Sequence, residues 1–266
     1  MPEGDTIFRA ATTLRRWLEG RTITAARSTV AGVAAATLVG DRLDEVEARG
    51  KHLLMRFDSG RVLHTHMRMT GSWHVYPAGE RWQKPAWQAR MVLEAGERLA
   101  VCFNAPVVEL LAPRMESIHP GLVGLGPDIL VEPLDLVEIR RRAAAKPRRT
   151  EIGELLLDQT VAAGIGNIYR CETLFLRRTH PGRPIGGVDD ALLDTLITTA
   201  ARLMQVNARP EASVGREFGL GADERWVYGR ARRPCQRCGT RITSANMGHQ
   251  GRITYWCPRC QPAEPT

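Results

Sequence analysis

The sequence has no apolar run of about 18 residues, the length at which a helix can begin to cross a bilayer, so we expect no membrane-spanning segment. It also lacks a secretory signal with an apolar core and a twin-arginine signal, which predicts a cytoplasmic protein whose thiols stay reduced. No internal repeat of useful length is present, so the chain is not built from a repeated unit.

Lysine is scarce, and arginine provides most of the positive charge. Lysine and arginine together number 37 against 29 aspartate and glutamate residues, for a net charge of +8 and a pI near 9.6. The planar guanidinium fork suits phosphate recognition, so this composition favours a nucleic-acid partner. A GC-rich genome also enriches arginine, and composition alone does not separate the two explanations.

The first part of the chain combines a helix with many short strands. The 266 residues are enough for two domains, or for one domain with small appendages. Thr6 to Glu19 has the periodicity of an amphipathic helix, with Asp5 as its cap and Gly20 as its stop. From about Arg21 to Leu111, β-rich runs alternate with turn signals, a pattern typical of a sandwich or barrel. We therefore predict a leading helix on the edge of a β-domain.

Helical periodicity replaces the β pattern in the second half. Pro113 to Pro133 is rich in glycine and proline and is the best candidate for a linker. Three helices are expected after it: one with Ile152, Leu155, Leu156 and Gln159, one from Asn167 with Ile168, Cys171, Leu174 and Phe175 in phase, and one from about Val188 to Val206 with Leu192, Leu196, Leu203 and Met204 inward. The turn Gly164-Ile165-Gly166-Asn167 could present backbone N–H groups to a phosphate or could simply pack two helices.

The chain begins Met1-Pro2-Glu3-Gly4, a start that suggests chemistry. Removal of Met1 would leave Pro2 with a secondary amine, and a terminal amine has a pKa of roughly 7.7–8.0, so part of it is unprotonated near neutral pH. A secondary amine that attacks an aldehyde-like carbon forms an iminium ion, which is an electron sink for elimination. Glu3 could supply the proton transfers. A chance Met-Pro-Glu start is the alternative, and these residues alone leave it open.

Four of the six cysteines form two C-x2-C pairs, Cys235 with Cys238 and Cys257 with Cys260, separated by 18 residues. This spacing is typical of sites where four thiolates converge on one zinc ion. Two disulfides would need an oxidising compartment, and a redox C-x-x-C would not explain a second pair. The pairs therefore predict one structural zinc ion per chain. The remaining cysteines, expected to be small core residues, are Cys102 and Cys171.

Six motifs occur in order along the chain. They are Pro2-Glu3-Gly4, Arg49-Gly50-Lys51-His52-Leu53-Leu54, His66-Met67-Arg68-Met69-Thr70-Gly71, Leu156-Leu157-Asp158-Gln159 with Gly164-Ile165-Gly166-Asn167-Ile168-Tyr169, Glu172, and Gly251-Arg252-Ile253-Thr254-Tyr255-Trp256-Cys257-Pro258-Arg259-Cys260-Gln261. Together they resemble the Fpg/Nei family of DNA glycosylases, and within it the endonuclease VIII (Nei) branch.

This resemblance covers nearly the whole chain and implies an α+β architecture. Its parts would be an N-terminal β-sandwich with a leading helix, a linker, a helix–two-turn–helix DNA-binding domain and a C-terminal zinc-finger β-hairpin. Their expected boundaries are 1–112, 113–130, 131–225 and 226–266.

The resemblance further implies a bifunctional DNA glycosylase and AP lyase of base excision repair. Pro2 would attack C1′ of a damaged nucleotide flipped out of the duplex, displace the base and form a Schiff base. Glu3 would protonate the sugar, and Lys51 would hold a phosphate and serve in β-elimination. Asn167 would bind the phosphate backbone. Arg252 would clamp the phosphates that flank the lesion and support δ-elimination.

A wedge residue is also implied. Met69 would enter the gap left by the extruded base and offset part of an unstacking cost of a few kcal/mol. Arg68 and Thr70 would fill the gap beside it or read the opposite base. An ordinary strand-end methionine is the alternative.

Two departures from the family pattern bear on the substrate. The Fpg branch carries a second wedge on a loop with the motif Asp-x-Arg-Arg-Phe-Gly. The corresponding region here, residues 103–109, reads Phe-Asn-Ala-Pro-Val-Val-Glu and has neither the arginine nor the phenylalanine of that motif. This favours the Nei branch and oxidised pyrimidines over 8-oxoguanine. Some Nei-type sequences have Gln-Leu-Tyr at 68–70, and some have a basic residue before Gly-Pro-Asp where this chain has Gly124 and Leu125. The opposite-base preference therefore stays open.

Damaged duplex DNA is the expected partner, with bubble or single-stranded DNA as a further candidate, for a monomer on the bacterial nucleoid. Two other function classes compete. A catalytically silent damage-binding protein would have no need of Pro2, Glu3 and Lys51 together. A zinc-ribbon transcription or ribosomal protein would leave the first 70 residues unexplained.

Overall fold

The computed structural model describes residues 2–209, 215–221, 223–249 and 251–263. The chain divides into two compact units, residues 1–124 and 125–266. Among the described residues, no helix is both long and apolar enough to cross a membrane.

The first unit consists of a leading helix and two four-stranded antiparallel sheets. The helix is α1 (Gly4–Leu18). The strands are β1 (Ala25–Ser28), β2 (Leu43–Arg49), β3 (His52–Phe57), β4 (Val62–His66), β5 (Ser72–Pro77), β6 (Ala89–Ala95), β7 (Arg98–Phe103) and β8 (Val107–Leu111). Their order is β1-β6-β7-β5 in one sheet and β2-β3-β4-β8 in the other. A short helix, α2 (Pro120–Val123), follows.

One apolar core joins the helix to both sheets, which confirms the predicted sandwich. The α1 side chains in this core recur at helical spacing, so they form one buried face. They are Ile7, Ala11, Leu14 and Leu18. One sheet supplies Leu43, Val46, Leu53 and Met55, and the other supplies Met91, Leu93, Ala100 and Cys102. Cys102 is fully buried, as expected for a core cysteine.

The predicted cap of α1 was wrong. The helix begins earlier than expected because the extended residue Glu3 is its N-cap, and the Glu3 carbonyl oxygen accepts hydrogen bonds from the N–H groups of Thr6 (2.9 Å) and Ile7 (3.2 Å). Asp5 lies inside the first turn and is buried. The stop was placed correctly, since the helix ends before Gly20, whose φ is +78°.

The second unit is helical and ends in a two-stranded hairpin. Its elements are α3 (Leu136–Ala144), α4 (Ile152–Leu155), α5 (Asn167–Leu176), α6 (Asp190–Ala208), β9 (Thr243–Met247) and β10 (Arg252–Trp256). The helices α5 and α6 confirm two of the three predicted helices. The α3 helix was not predicted. Along α6, Leu196 and Met204 face inward as expected, whereas Leu192 and Leu203 are only half-buried.

One further expectation for this region was wrong. The predicted first helix stops at Leu155, because Gln159 instead fastens the following turn: its amide donates to the carbonyl oxygens of Leu157 (2.7 Å) and Ile165 (3.0 Å) and accepts from the N–H of Gly164 (3.0 Å). The segment from Pro113 to Pro133, the candidate linker, has some structure of its own. It contains α2, and its residue Ile129 is 1% exposed.

Candidate active site and zinc centre

The first candidate residues lie at the start of α1. Pro2 is half-buried and directly precedes Glu3, which is only 1% exposed. Because Glu3 caps the helix and the two residues after it are buried as well, the backbone at this end is held firmly. A terminal amine on Pro2 would therefore have a defined position and would remain accessible.

Lys51 lies in the tight turn between β2 and β3. Gly50 in that turn has φ +58°, a conformation that favours glycine, and Lys51 itself is half-buried. His52 and His66 are partners across β3 and β4. Lys51 and the segment that begins at Met67 therefore leave the same end of the sheet. The turn geometry and this pairing bring two of the predicted site segments together.

A chain of hydrogen-bonded side chains lies next to Lys51 and was not predicted. His52 Nδ1 lies 2.8 Å from His64 Nε2, and His64 Nδ1 lies 2.8 Å from Glu109 Oε2. The same Glu109 oxygen lies 3.1 Å from His119 Nε2. His64 and His66 alternate along β4, but the pairing with β3 and β8 that assembles this cluster is a tertiary feature without a sequence signal.

Burial favours the neutral form of His52, His64 and His66, because it lowers the pKa of each imidazole. It lowers the pKa of His52 to about 3, aided by the positive charge that His66 and His64 would carry if protonated. Burial and the neighbouring cations Arg68 and Lys51 lower the pKa of His66 to about 4. The surface beside Lys51 is thus lined by groups that donate and accept hydrogen bonds without adding positive charge.

The predicted wedge segment is a tight, exposed turn. Arg68 has φ +44°, and its N–H donates to His66 Nδ1 at 3.1 Å. A Cβ added at Gly71 would lie 2.7 Å from the Met67 Cα, so only glycine fits there. Met69 is 57% exposed. The turn therefore holds an apolar side chain out into solvent, as a wedge requires.

Asn167 is the first residue of α5, as the motif suggested, but its side chain is engaged within the protein. The Asn167 amide donates to the Ile253 carbonyl oxygen at 2.8 Å, and its own oxygen accepts a hydrogen bond from Arg170. Arg170 also donates to Thr254 Oγ1 at 2.7 Å. These bonds fasten β10 to α5. A phosphate contact through the Asn167 side chain would require release of one of them, whereas its helix-terminal N–H could serve without that cost.

Arg252 begins β10 and is exposed. It lines a cavity of about 330 Å³ together with Asp158, Gln159 and Arg170. The side chain of Arg252 therefore stands beside the turn that follows α4, within the second unit. An exposed guanidinium at the end of a strand can move to meet a phosphate.

The four paired cysteines converge as predicted. Their sulfur atoms lie within 4.8 Å of one another, and the Sγ atoms of Cys238 and Cys257 are 3.5 Å apart. Tetrahedral zinc with bonds of about 2.3 Å needs sulfur atoms roughly 3.8 Å apart, so the site fits a zinc ion. Burial and the thiols of Cys238 and Cys257 raise the pKa of Cys260 to about 12. A cation between the four sulfur atoms would therefore favour the thiolate form of Cys260.

Buried groups around the zinc site connect it to α5. Gln261 Oε1 accepts from the Cys257 N–H at 3.0 Å, and its amide donates to the Thr179 carbonyl oxygen at 2.9 Å. Cys171 packs in the same cluster and is fully buried, as predicted. Glu172 is buried as well and accepts three backbone N–H groups from residues 226–228, at 2.7 to 3.1 Å. It therefore orders the chain that leads into the zinc site.

Three protein-family models match successive parts of the chain. The formamidopyrimidine-DNA glycosylase N-terminal domain matches residues 1–105, and the formamidopyrimidine-DNA glycosylase H2TH domain matches residues 125–216. The zinc finger found in FPG and IleRS matches residues 233–263. The matched zinc finger contains all four clustered cysteines.

Relatives extend over the full length. The chain is 41% identical to a probable endonuclease 8 2 of Streptomyces coelicolor, over 98% of this chain and 94% of that protein. It is 36% identical to the DNA-(apurinic or apyrimidinic site) lyase Nei2 of Mycolicibacterium smegmatis, over 99% and 100%. Its fold is similar to that of Lactococcus lactis Fpg (MutM) solved with a N7-benzyl-Fapy-dG containing DNA, with a TM-score of 0.80, 22% identity and coverage of 98% and 100%. The chain belongs to the Fpg/Nei family of DNA glycosylases and AP lyases, on its endonuclease 8 branch.

Proposed function

We propose that this protein is a bifunctional DNA glycosylase and AP lyase that removes oxidised pyrimidines from DNA in base excision repair. The observation that carries the proposal is the start of α1, where an accessible Pro2 directly precedes the buried carboxyl group of Glu3. Family membership and relatives named endonuclease 8 and AP lyase support the same activity.

The chemistry begins at the Pro2 nitrogen. Once Met1 is removed, this nitrogen attacks C1′ of the damaged nucleotide, and the electron pair of the N-glycosidic bond leaves with the base. Glu3 protonates the sugar oxygen as the ring opens, which leaves a Schiff base between the sugar and Pro2. The cationic nitrogen then withdraws electrons from the sugar, so that its C2′ protons become acidic.

Elimination cleaves the strand in two steps. Loss of a C2′ proton expels the 3′ phosphate by β-elimination, and a second proton loss expels the 5′ phosphate by δ-elimination. Water then hydrolyses the Schiff base and frees Pro2. Lys51 serves the first elimination and holds a phosphate, and Arg252 clamps the flanking phosphates and supports the second. The neutral histidines beside Lys51 leave its charge as the local attraction for that phosphate.

DNA recognition is assigned to the exposed turn and to the second unit. Met69 enters the gap in the stack, with Arg68 and Thr70 beside it, and Asn167 contacts backbone phosphate. Bound zinc supplies folding energy to the hairpin that carries Arg252 and takes no part in the reaction. Cys235, Cys238, Cys257 and Cys260 would hold it.

We also propose the boundaries 1–112, 113–130, 131–225 and 226–266 for the catalytic domain, linker, helical domain and zinc finger. The division of the chain into two compact units falls inside that linker. The protein would act as a monomer in the bacterial cytoplasm, and light scattering of the purified protein tests the monomer.

Borohydride trapping on a duplex with one abasic site tests the mechanism. Reduction of the Schiff base should leave a covalent complex whose attachment maps to Pro2. DNA binding without a covalent complex would instead support a silent damage binder. A panel of duplexes with single oxidised bases then separates the pyrimidine preference from Fpg-like excision of 8-oxoguanine, because the absence of an Fpg-type loop at 103–109 favours pyrimidines.

A further inference from the structure

Trp87 has the largest exposed fraction of any large apolar side chain among the described residues, at 78%. A tryptophan buries 150–250 Å² when it is packed, so full exposure forgoes much favourable burial. Trp87 has no part in the proposed catalysis, phosphate binding or zinc binding. Its environment indicates what it could bind.

The backbone that displays Trp87 is held in place. It forms a short 3-10 turn over Ala86–Gln88 that follows Pro85. Asn104 fixes this turn twice: its N–H donates to the Gln88 carbonyl oxygen at 2.9 Å, and its side-chain amide donates to Gln88 Oε1 at 2.8 Å. The indole therefore projects from an ordered turn rather than from a loose loop.

The same Asn104 connects this turn to the wedge segment. Its carbonyl oxygen accepts a hydrogen bond from Thr70 Oγ1 at 3.2 Å, and its φ is +51°. Met69 adjoins Thr70 and is 57% exposed. The two exposed apolar residues, Met69 and Trp87, are thus each the chain neighbour of a hydrogen-bond partner of Asn104. Phe103, next to Asn104, is fully buried and cannot join them.

Charge around the tryptophan favours a nucleic acid. The segment 80–90 contains three basic residues, Arg81, Lys84 and Arg90, and one acidic residue, Glu80, and Arg68 lies in the wedge turn. A net positive segment with an exposed indole matches the way proteins hold strands that have left the duplex: cations follow the phosphates, and an aromatic ring stacks on a base.

We propose that Trp87 stacks on an unpaired nucleobase beside the gap that Met69 enters, so that this surface holds bases that have lost their stacking partners. The inference rests on the proposed DNA-repair function and deepens it, because it predicts tighter binding of lesions in bubbles than in fully paired DNA.

Equilibrium binding tests this role without chemistry. Three labelled DNAs of one sequence are compared: an undamaged duplex, a duplex with a tetrahydrofuran abasic analogue, and the same analogue inside a bubble. Because one stacked base contributes about 1–3 kcal/mol, Trp87→Ala should weaken bubble binding by about 5- to 150-fold. Binding of the undamaged duplex should change by less than about twofold, and Trp87→Phe should keep most of the bubble affinity.

Fluorescence provides the second measurement. Bubble DNA should quench the wild-type emission more than that of Trp87→Phe. Trp17→Phe is the matched control and should retain the quenching. Trp17 lies on α1, and its ring is already covered by the Arg98 guanidinium, whose central carbon is 3.8 Å from the ring centroid. Equal bubble affinity in wild type and Trp87→Ala, or an equal loss on undamaged duplex, would overturn the inference. Borohydride trapping by the wild type is scored separately, so failure of the proposed function is distinguishable from failure of this one.

Discussion

In the proposed mechanism the nitrogen of Pro2 becomes the nucleophile only after Met1 is removed. If Met1 is retained, this nitrogen is a tertiary amide that can neither attack C1′ nor form an iminium ion. We expect a protein that keeps Met1 to lose base excision and Schiff-base trapping while DNA binding survives, because the amine contributes little to phosphate contact. Gel assays of excision and trapping, beside a binding titration, measure both. Substantial strand cleavage by protein that still bears Met1 would refute the mechanism.

In the proposed mechanism the carboxyl group of Glu3 protonates the sugar, so it should matter most while the base is still attached. Glu3→Gln removes the transferable proton yet retains a similar shape at a site only 1% exposed. Loss of a positioned general acid costs roughly 10²–10⁴-fold in rate, and we expect a loss of this size in base excision. A preformed abasic site already presents an aldehyde, so strand cleavage there should fall less. Single-turnover rates are measured on DNA with the damaged base and on DNA with a preformed abasic site. Equal defects on both substrates would contradict the role of Glu3 as a general acid.

At the scale of elements, the β10 end and the wedge turn should act on DNA in different ways. Arg252→Ala removes a phosphate contact, so binding should weaken on all duplexes and the salt slope should fall by about one unit. Met69→Ala removes an apolar side chain, so the salt slope should stay unchanged. Excision should slow most for a stably paired lesion and least in a bubble. Single-turnover excision at two salt concentrations measures both variants. An equal Met69→Ala defect in paired and bubble DNA would show that Met69 is a packing residue.

Some elements of the fold could be predicted from local sequence patterns, and others could not. Local periodicity identified α1, α5 and α6, because each helix buries one regularly spaced apolar face. Cysteine spacing identified the zinc site for a similar reason, since the ligands lie close together in the chain. The α3 helix was missed, and Asp5 was mistaken for a cap because several polar residues at the start of α1 fit that role equally well from sequence.

The site residues that escaped prediction depend on contacts between distant segments. His52, His64 and Glu109 come from three strands, and only their pairing makes them neighbours. The hydrogen bond of Asn167 with Ile253 spans 86 residues and gives its side chain a structural use that the motif alone does not indicate. The connection between the Trp87 turn and the wedge segment likewise depends on the hydrogen bonds of Asn104. Sequence motifs therefore nominate candidate residues for the chemistry, whereas the side chains that surround these candidates appear only in the folded chain.

For the whole molecule, loss of zinc should affect the two compact units unequally. The zinc-finger segment of about 35 residues is too small to fold on an apolar core alone, so the metal provides its folding energy. The core of the first unit lies within the β-sandwich, and it contains none of the four clustered cysteines. We expect chelation or Cys257→Ser to unfold the C-terminal hairpin and to weaken DNA binding, while the first unit keeps its β-sheet signal in circular dichroism and its protection from proteolysis.

Metal analysis tests the zinc prediction directly. Purified wild-type protein should contain about one zinc ion per chain, because the four thiolates form one tetrahedral site. Cys257→Ser should lose most of that zinc and expose residues 233–263 to protease. Cys102→Ala is the matched control: it also removes a buried thiol, but from the sandwich core, so zinc content should stay at one while the first unit loses stability. Absence of near-stoichiometric zinc in the wild type would contradict the prediction, as would full DNA affinity in Cys257→Ser after its zinc is lost.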